Sequence, residues 1–321
     1  MAQLLNLFLK LFPMQKIIPH LWFDKQALEA ADFYTSIFPQ SRITHTSLIR
    51  DTPSGDCDIV HFTLWNKEFM GINAGPLFQF NPSMSFIVNY DPLFFKGNPE
   101  EQENAARESL EKAWQQLMGG GKALMPMGEY PFSHQYGWVQ DKYGLSWQLM
   151  LTNPSGDPRP AIIPSLMFTG KTLGRAEEAI HFYSSIFRRS EQGMLARYTE
   201  GMDPDKAGTI MFADFKLEDT WLAAMDSAHQ HGFEFNESVS LMVTCVDQAE
   251  IDYYWQNLSA IPESEQCGWL KDKFGFSWQI TSTEIETLIK EGSQEQIDRV
   301  TKAFLKMKKI DIAAIKAVAT K

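Results

Sequence analysis

His20, Glu129 and His134 are the side chains of this chain best suited to moving a proton. His20 sits in the apolar run Ile17-Ile18-Pro19-His20-Leu21 and reads either as a metal-binding or catalytic residue or as a hydrogen-bonded strand histidine, and Glu129, five residues before His134, forms with it either an acid/base pair or part of an exposed hairpin. In the chemistry these residues suggest, His20 is a base or a metal ligand, and Glu129 or His134 carries the proton. Trp22, Phe132 and Trp138 offer aromatic walls, while Asn73, Ser83, Ser85 and Gln148 offer amide and hydroxyl groups to orient an oxygen-bearing ligand. Cys57, Cys245 and Cys267 form no metal-like pair, and their odd number suits a reducing compartment, so they read as small buried apolar residues. Gly-x-Ser-x-Gly and Walker sequences are absent.

These residues stand in a repeated frame. Ile17-Ile18-Pro19-His20-Leu21 returns as Ile162-Ile163-Pro164-Ser165-Leu166, and Phe33-Tyr34-Thr35-Ser36-Ile37-Phe38 as Phe182-Tyr183-Ser184-Ser185-Ile186-Phe187. Asn81-Pro82-Ser83-Met84-Ser85 returns as Asn236-Glu237-Ser238-Val239-Ser240, and Gly137-Trp138-Val139-Gln140-Asp141-Lys142-Tyr143-Gly144 as Gly268-Trp269-Leu270-Lys271-Asp272-Lys273-Phe274-Gly275. Four blocks in one order identify a tandem duplication. The second copy has Ser165 in place of His20 and lacks the stretch that carries Glu129 and His134, whereas Gln148 has a counterpart in Gln279. The expectation is a working pocket in the first copy and a degenerate structural partner in the second. A glutamine kept where the histidine is lost points to a structural or positioning role.

Periodicity supplies the elements. A strand over 16–24 precedes a helix marked by Ala27, Leu28, Ala30, Ala31, Phe33, Tyr34, Ile37 and Phe38 and ending at Pro39, and three alternating strands follow over 43–50, 58–65 and 68–73. The βαβββ pattern restarts with a strand over 84–90. Its helix opens at Asn98-Pro99-Glu100-Glu101, with an Asn cap, a first-turn proline and a capping-box glutamate. Strands over 122–127, 136–140 and 146–151 complete it. Residues two apart share a strand face, so His20 goes with Trp22, and Phe69 and Gly71 go with Asn73.

The paired modules, the ending Asp141-Lys142-Tyr143-Gly144-Leu145-Ser146-Trp147-Gln148-Leu149 and Phe33-Tyr34 in the first helix resemble the vicinal oxygen chelate superfamily of glyoxalase, bleomycin-resistance and extradiol dioxygenase proteins. The segment Tyr130 to Asp141 and the tail Met307 to Ala314 resemble its PhnB-like family, often labelled 3-demethylubiquinone-9 3-methyltransferase. The resemblance implies an α+β fold of tandem glyoxalase-like domains, each of paired βαβββ modules in a curved, partly open barrel-like sheet with helices outside. It also implies a divalent metal on His, Gln or Glu residues of the first and last strands. Carried over, the ligand positions fall on His20, Asn73, Ser83 and Gln148, and in the second copy on Ser165, Asp226, Ser238 and Gln279. One imidazole with amide and hydroxyl oxygens lacks the anionic charge of a carboxylate site, so only a weakly bound metal at His20 is expected, and none in the second copy.

The domain boundaries that follow are an N-terminal extension at 1–15, a first domain at 16–152, a linker at 153–160, a shortened second domain at 161–282 and a helical tail at 283–321. The extension is apolar, but it has no basic start or cleavage site and is too short to span a bilayer. With 40 acidic and 29 basic residues the net charge is −11, which disfavours nucleic-acid binding. The expected protein is cytoplasmic, a monomeric pseudo-dimer with a small-molecule ligand and no nucleic-acid or membrane partner. Three functions compete. The first is binding and transforming a small oxygen-bearing molecule, as a lyase, isomerase, dioxygenase or transferase of this superfamily. The second is sequestering a planar or apolar compound without chemistry. Methyl transfer ranks last, because Gly119-Gly120-Gly121 follows a helix instead of opening one, and no nucleotide cofactor is expected.

Overall fold

The computed structural model describes residues 15–320, so all but Gln15 of the expected N-terminal extension lies outside the described residues. The first module runs β1 (Ile17–Phe23), α1 (Ala27–Ile37), β2 (Arg42–Thr52), β3 (Gly55–Leu64) and β4 (Lys67–Asn73). The second runs β5 (Met84–Tyr90), α2 (Pro99–Met118), β6 (Lys122–Tyr130), β7 (Ser133–Gln140) and β8 (Ser146–Leu151). The capping box at the start of α2 forms as predicted, with Asn98 accepting from Glu101 and Glu101 reaching back to the Asn98 amide. The third module runs β9 (Ile162–Phe168), α3 (Ala176–Ile186), β10 (Ser190–Arg197), β11 (Ile210–Leu217) and β12 (Thr220–Asp226). The fourth is shorter: β13 (Val239–Cys245), α4 (Gln248–Leu258), β14 (Trp269–Lys271) and β15 (Ser277–Ser282). The tail forms α5 (Thr283–Glu291), α6 (Gln294–Phe304) and α7 (Ile312–Ala319).

The architecture is the expected α+β pair, but the modules pair across the copies. One sheet has the order β14-β15-β13-β1-β4-β3-β2 and the other β10-β11-β12-β9-β5-β8-β7-β6. Antiparallel pairing of β1 with β13 sets His20 opposite Ser240, and pairing of β5 with β9 sets Ser85 opposite Ser165. Each sheet thus joins a module from one copy to a module from the other.

The convex faces carry the helices and share one core. Phe69 of β4 lies 5.2 Å from Phe86 of β5, and Phe38, at the end of α1, lies 4.9 Å from Trp147 of β8. Two buried carboxylates tie the sheets together. Asp141, between β7 and β8, accepts from Tyr34 of α1 (2.8 Å), Trp147 (2.9 Å) and the amides of Tyr143 and Leu145. Asp272 repeats this with Tyr183, Trp278, Phe274 and Phe276. The Asp-Lys-aromatic-Gly turn recurs in both copies because four donors converge on its aspartate. Among the described residues no helix is long and apolar enough to cross a membrane.

Candidate functional site

The concave face of the seven-stranded sheet is a cup with His20 near its centre. Alternation turns Leu21 and Phe23 toward the helices and His20 and Trp22 into the cup. His20 is 3% exposed, its Nδ1 has no hydrogen-bond partner, and burial holds its imidazole down at about 3, so the ring is neutral at physiological pH. Trp269 of β14 meets the His20 ring edge-on at 5.5 Å and Trp22 at 6.0 Å, and Trp22 is fixed by its Nε1 donating to the Gly75 carbonyl at 2.7 Å. From the fourth module, Gln279 donates to Ser240 Oγ at 2.9 Å. No described residue donates to its Oε1. These groups, with Cys57, Ile59, Met70, Ile72 and Met242, line a cavity of about 480 Å³.

The tail roofs this cavity with Ile285, Glu286 and Ile289 of α5, Phe304 and Leu305 at the end of α6, and Ile310. It is anchored on both rims. Gln294 donates to the Leu48 carbonyl of β2 at 2.9 Å, while the amides of Cys267 and Gly268 donate to Met307 and Lys308 at 2.8 Å. The tail backbone thereby occupies the sheet edge that β6 occupies in the second module, where Gly128 pairs with Tyr136. Gly268 has φ +87°, and a Cβ there would lie 2.8 Å from the Ile280 carbonyl and 3.3 Å from Ile310, so this approach of the tail requires glycine. Burial pushes the Glu286 carboxyl up to about 7, with Glu68 adding to the shift and Lys290 opposing it.

The other cup differs. Gln148 is spent at both ends, accepting from Tyr136 Oη at 2.7 Å and donating to Ser85 Oγ at 2.8 Å. Ser165 takes the place of His20, and Ile87, Ile163 and Ala223 pack together at the centre. Trp138 is held by Ser146, Nε1 to Oγ 2.6 Å.

The candidate residues are therefore divided. His20 and Trp22 share the roofed cup, but Gln148, Ser85 and Trp138 belong to the other sheet, and the pocket is not contained in the first copy. Glu129 and His134 do meet, at 3.4 Å, but their side chains are 76% and 85% exposed on the β6–β7 hairpin, away from His20. Phe132 at that tip is 61% exposed. Asn73 faces the helices and accepts from the Ala27 amide at 2.8 Å, capping α1, as Asp226 does for Gly174 and Ala176 before and within α3. Ser83 closes the turn into β5, its amide donating to Asn81 Oδ1 at 2.8 Å. Sequence reasoning missed Trp269 and Glu286. Trp269 is visible as the twin of Trp138, but nothing local marks Glu286, which lies 266 positions from His20 in the chain.

A metal does not fit. Among the described residues no three His, Cys, Asp or Glu side chains are grouped to hold one, and the strand donors around His20 are a serine and a glutamine already bonded to each other.

The family model described as 3-demethylubiquinone-9 3-methyltransferase matches residues 15–150 and again 160–281. The chain belongs to that family. The two matches fall on the two copies, so this is a tandem duplicate of the family's domain, with the PhnB-like resemblance borne out in both. The PhnB protein of Bacillus cereus is 36% identical over 43% of this chain and 100% of its own, with a TM-score of 0.36. Glyoxalase I of Zea mays is 12% identical over 86% of this chain and 98% of its own, with a TM-score of 0.48. No curated protein matches the chain.

Proposed function

We propose that the roofed cup binds one small, largely apolar organic molecule, without a metal. The observation that carries this is a cavity of ordinary ligand size, walled by Trp22, Phe78 and Trp269 and lined by the neutral His20 imidazole and by Gln279, whose Oε1 accepts from no described residue. A neutral imidazole and an amide suit hydrogen bonds to a carbonyl, hydroxyl or amine on an aromatic or aliphatic body. Methyl transfer draws no support from the glycine run, since Gly119 caps α2 and the run leads into β6. Pairing of β1 with β13 and β5 with β9 inside the chain supports a monomer, to be checked by light scattering.

Titration with the neutral fluorophore N-phenyl-1-naphthylamine tests the binding reading. One site per chain is expected, abolished when Ile72→Trp fills the cavity in a variant that still unfolds cooperatively. No saturable site, or one indifferent to that substitution, overturns the reading. A second reading, proton transfer on the bound molecule, is favoured by Glu286, which at about 7 is balanced between acid and base forms near neutrality.

A further inference from the structure

The cavity's ionisable groups are not evenly distributed in sign. Lys271, the cation in its wall, is paired with Glu237 at 2.9 Å. His20 is neutral, and the thiols of Cys57 and Cys267 are pushed up by burial and stay uncharged. Glu263 lies exposed at the rim. Glu286 projects from the roof with no hydrogen-bond or ion-pair partner among the described residues; facing it are Lys290 one turn along α5 and Glu68 of β4, beyond ion-pair distance. The lining therefore presents acceptors with its one cation, Lys271, already paired: the Glu286 carboxylate above, the Gln279 amide oxygen below, and the faces of Trp22 and Trp269 between.

Resting on the binding reading above, we propose that the C-terminal tail sets the specificity of this cup, its Glu286 selecting a ligand that carries a cationic nitrogen on an apolar body. Desolvated carboxylate and indole faces recognise such a group together, through charge and cation–π attraction. A carboxylate held near neutrality by burial binds a cation only in its ionised form. Between pH 6 and pH 8 its ionised fraction rises from about one tenth to about nine tenths, so affinity for a permanent cation rises about tenfold.

The test compares phenyltrimethylammonium with its uncharged carbon isostere, tert-butylbenzene, by calorimetry on the full chain at pH 6 and pH 8. The expected result is about tenfold tighter binding of the cation at pH 8, with the isostere unchanged, and loss of that pH dependence in Glu286→Gln. Binding of the isostere with no pH-dependent gain for the cation, or a gain that survives Glu286→Gln, overturns the specificity while leaving the binding reading intact. Binding of neither compound overturns both. Should Glu286→Gln fail to fold, the wild-type contrast between the two probes across pH decides alone.

Discussion

The two cups of this molecule are built to one plan and finished differently. In each, a serine on one central strand bonds the glutamine of the last strand, Ser240 with Gln279 and Ser85 with Gln148, and a tryptophan stands on the strand beside that glutamine. What separates them is one strand position and one roof. The seven-stranded cup has His20 and is covered by the tail; the eight-stranded cup has Ser165, uses Tyr136 to saturate its glutamine, and keeps the β6–β7 hairpin at its edge. The fourth module has no counterpart of the β6–β7 hairpin among the described residues, and the tail backbone lies along the edge left open there. The roofed cavity lies where the shortened fourth module pairs with the first, so residues of both copies line it.

The sharpest way to break the comparison is at the shared scaffold. Asp141→Ala and Asp272→Ala each strand two side-chain donors and two amides, and each should lose about 3–5 kcal/mol in urea unfolding. Clearly unequal losses would show that the two halves no longer bear the fold equally. The glutamines should then part company: Gln148→Leu orphans Tyr136 and Ser85 and costs about 1–3 kcal/mol of stability without changing ligand affinity, whereas Gln279→Leu weakens ligand binding about tenfold.

Acid stability sharpens the same contrast, because the two histidines that burial holds at about 3, His20 and His61, both lie in the roofed sheet, while burial also lowers His231 in the second copy. Below the unfolded value of about 6.5 the unfolded chain binds more protons, so His20 and His61 each remove about 1.4 kcal/mol of stability per pH unit on acidification. Glu286 acts in the opposite sense between its unfolded range and about 7, since the folded state takes up its proton first. Denaturant midpoints from pH 7 to pH 5 should therefore fall, and fall more steeply in Glu286→Gln; an unchanged slope would mean that Glu286 is not held up by burial. Restoring an imidazole by Ser165→His should confer no binding on the second cup, which has no roof. The smallest effect belongs to Glu129→Gln with His134→Gln, an exposed pair whose loss should change neither unfolding midpoint nor ligand affinity.

Much of this was legible in the chain. The duplication, the module order, the capping box of α2 and the shared turn at Asp141 and Asp272 all follow from local signals, and period-two alternation correctly put His20 with Trp22. It also placed Asn73 with Gly71 and Phe69, and that grouping is the reason Asn73 caps α1 and stays out of the cup. Alternation names the face of a strand, but it does not name the neighbour. Which module lies beside β1 is settled by packing between segments more than 200 residues apart, where the central strands of all four modules are similarly apolar and their pairing is decided by the whole core. Tertiary structure alone therefore brought His20 to Gln279 in place of Gln148, and carried Glu286 across the mouth of the cup.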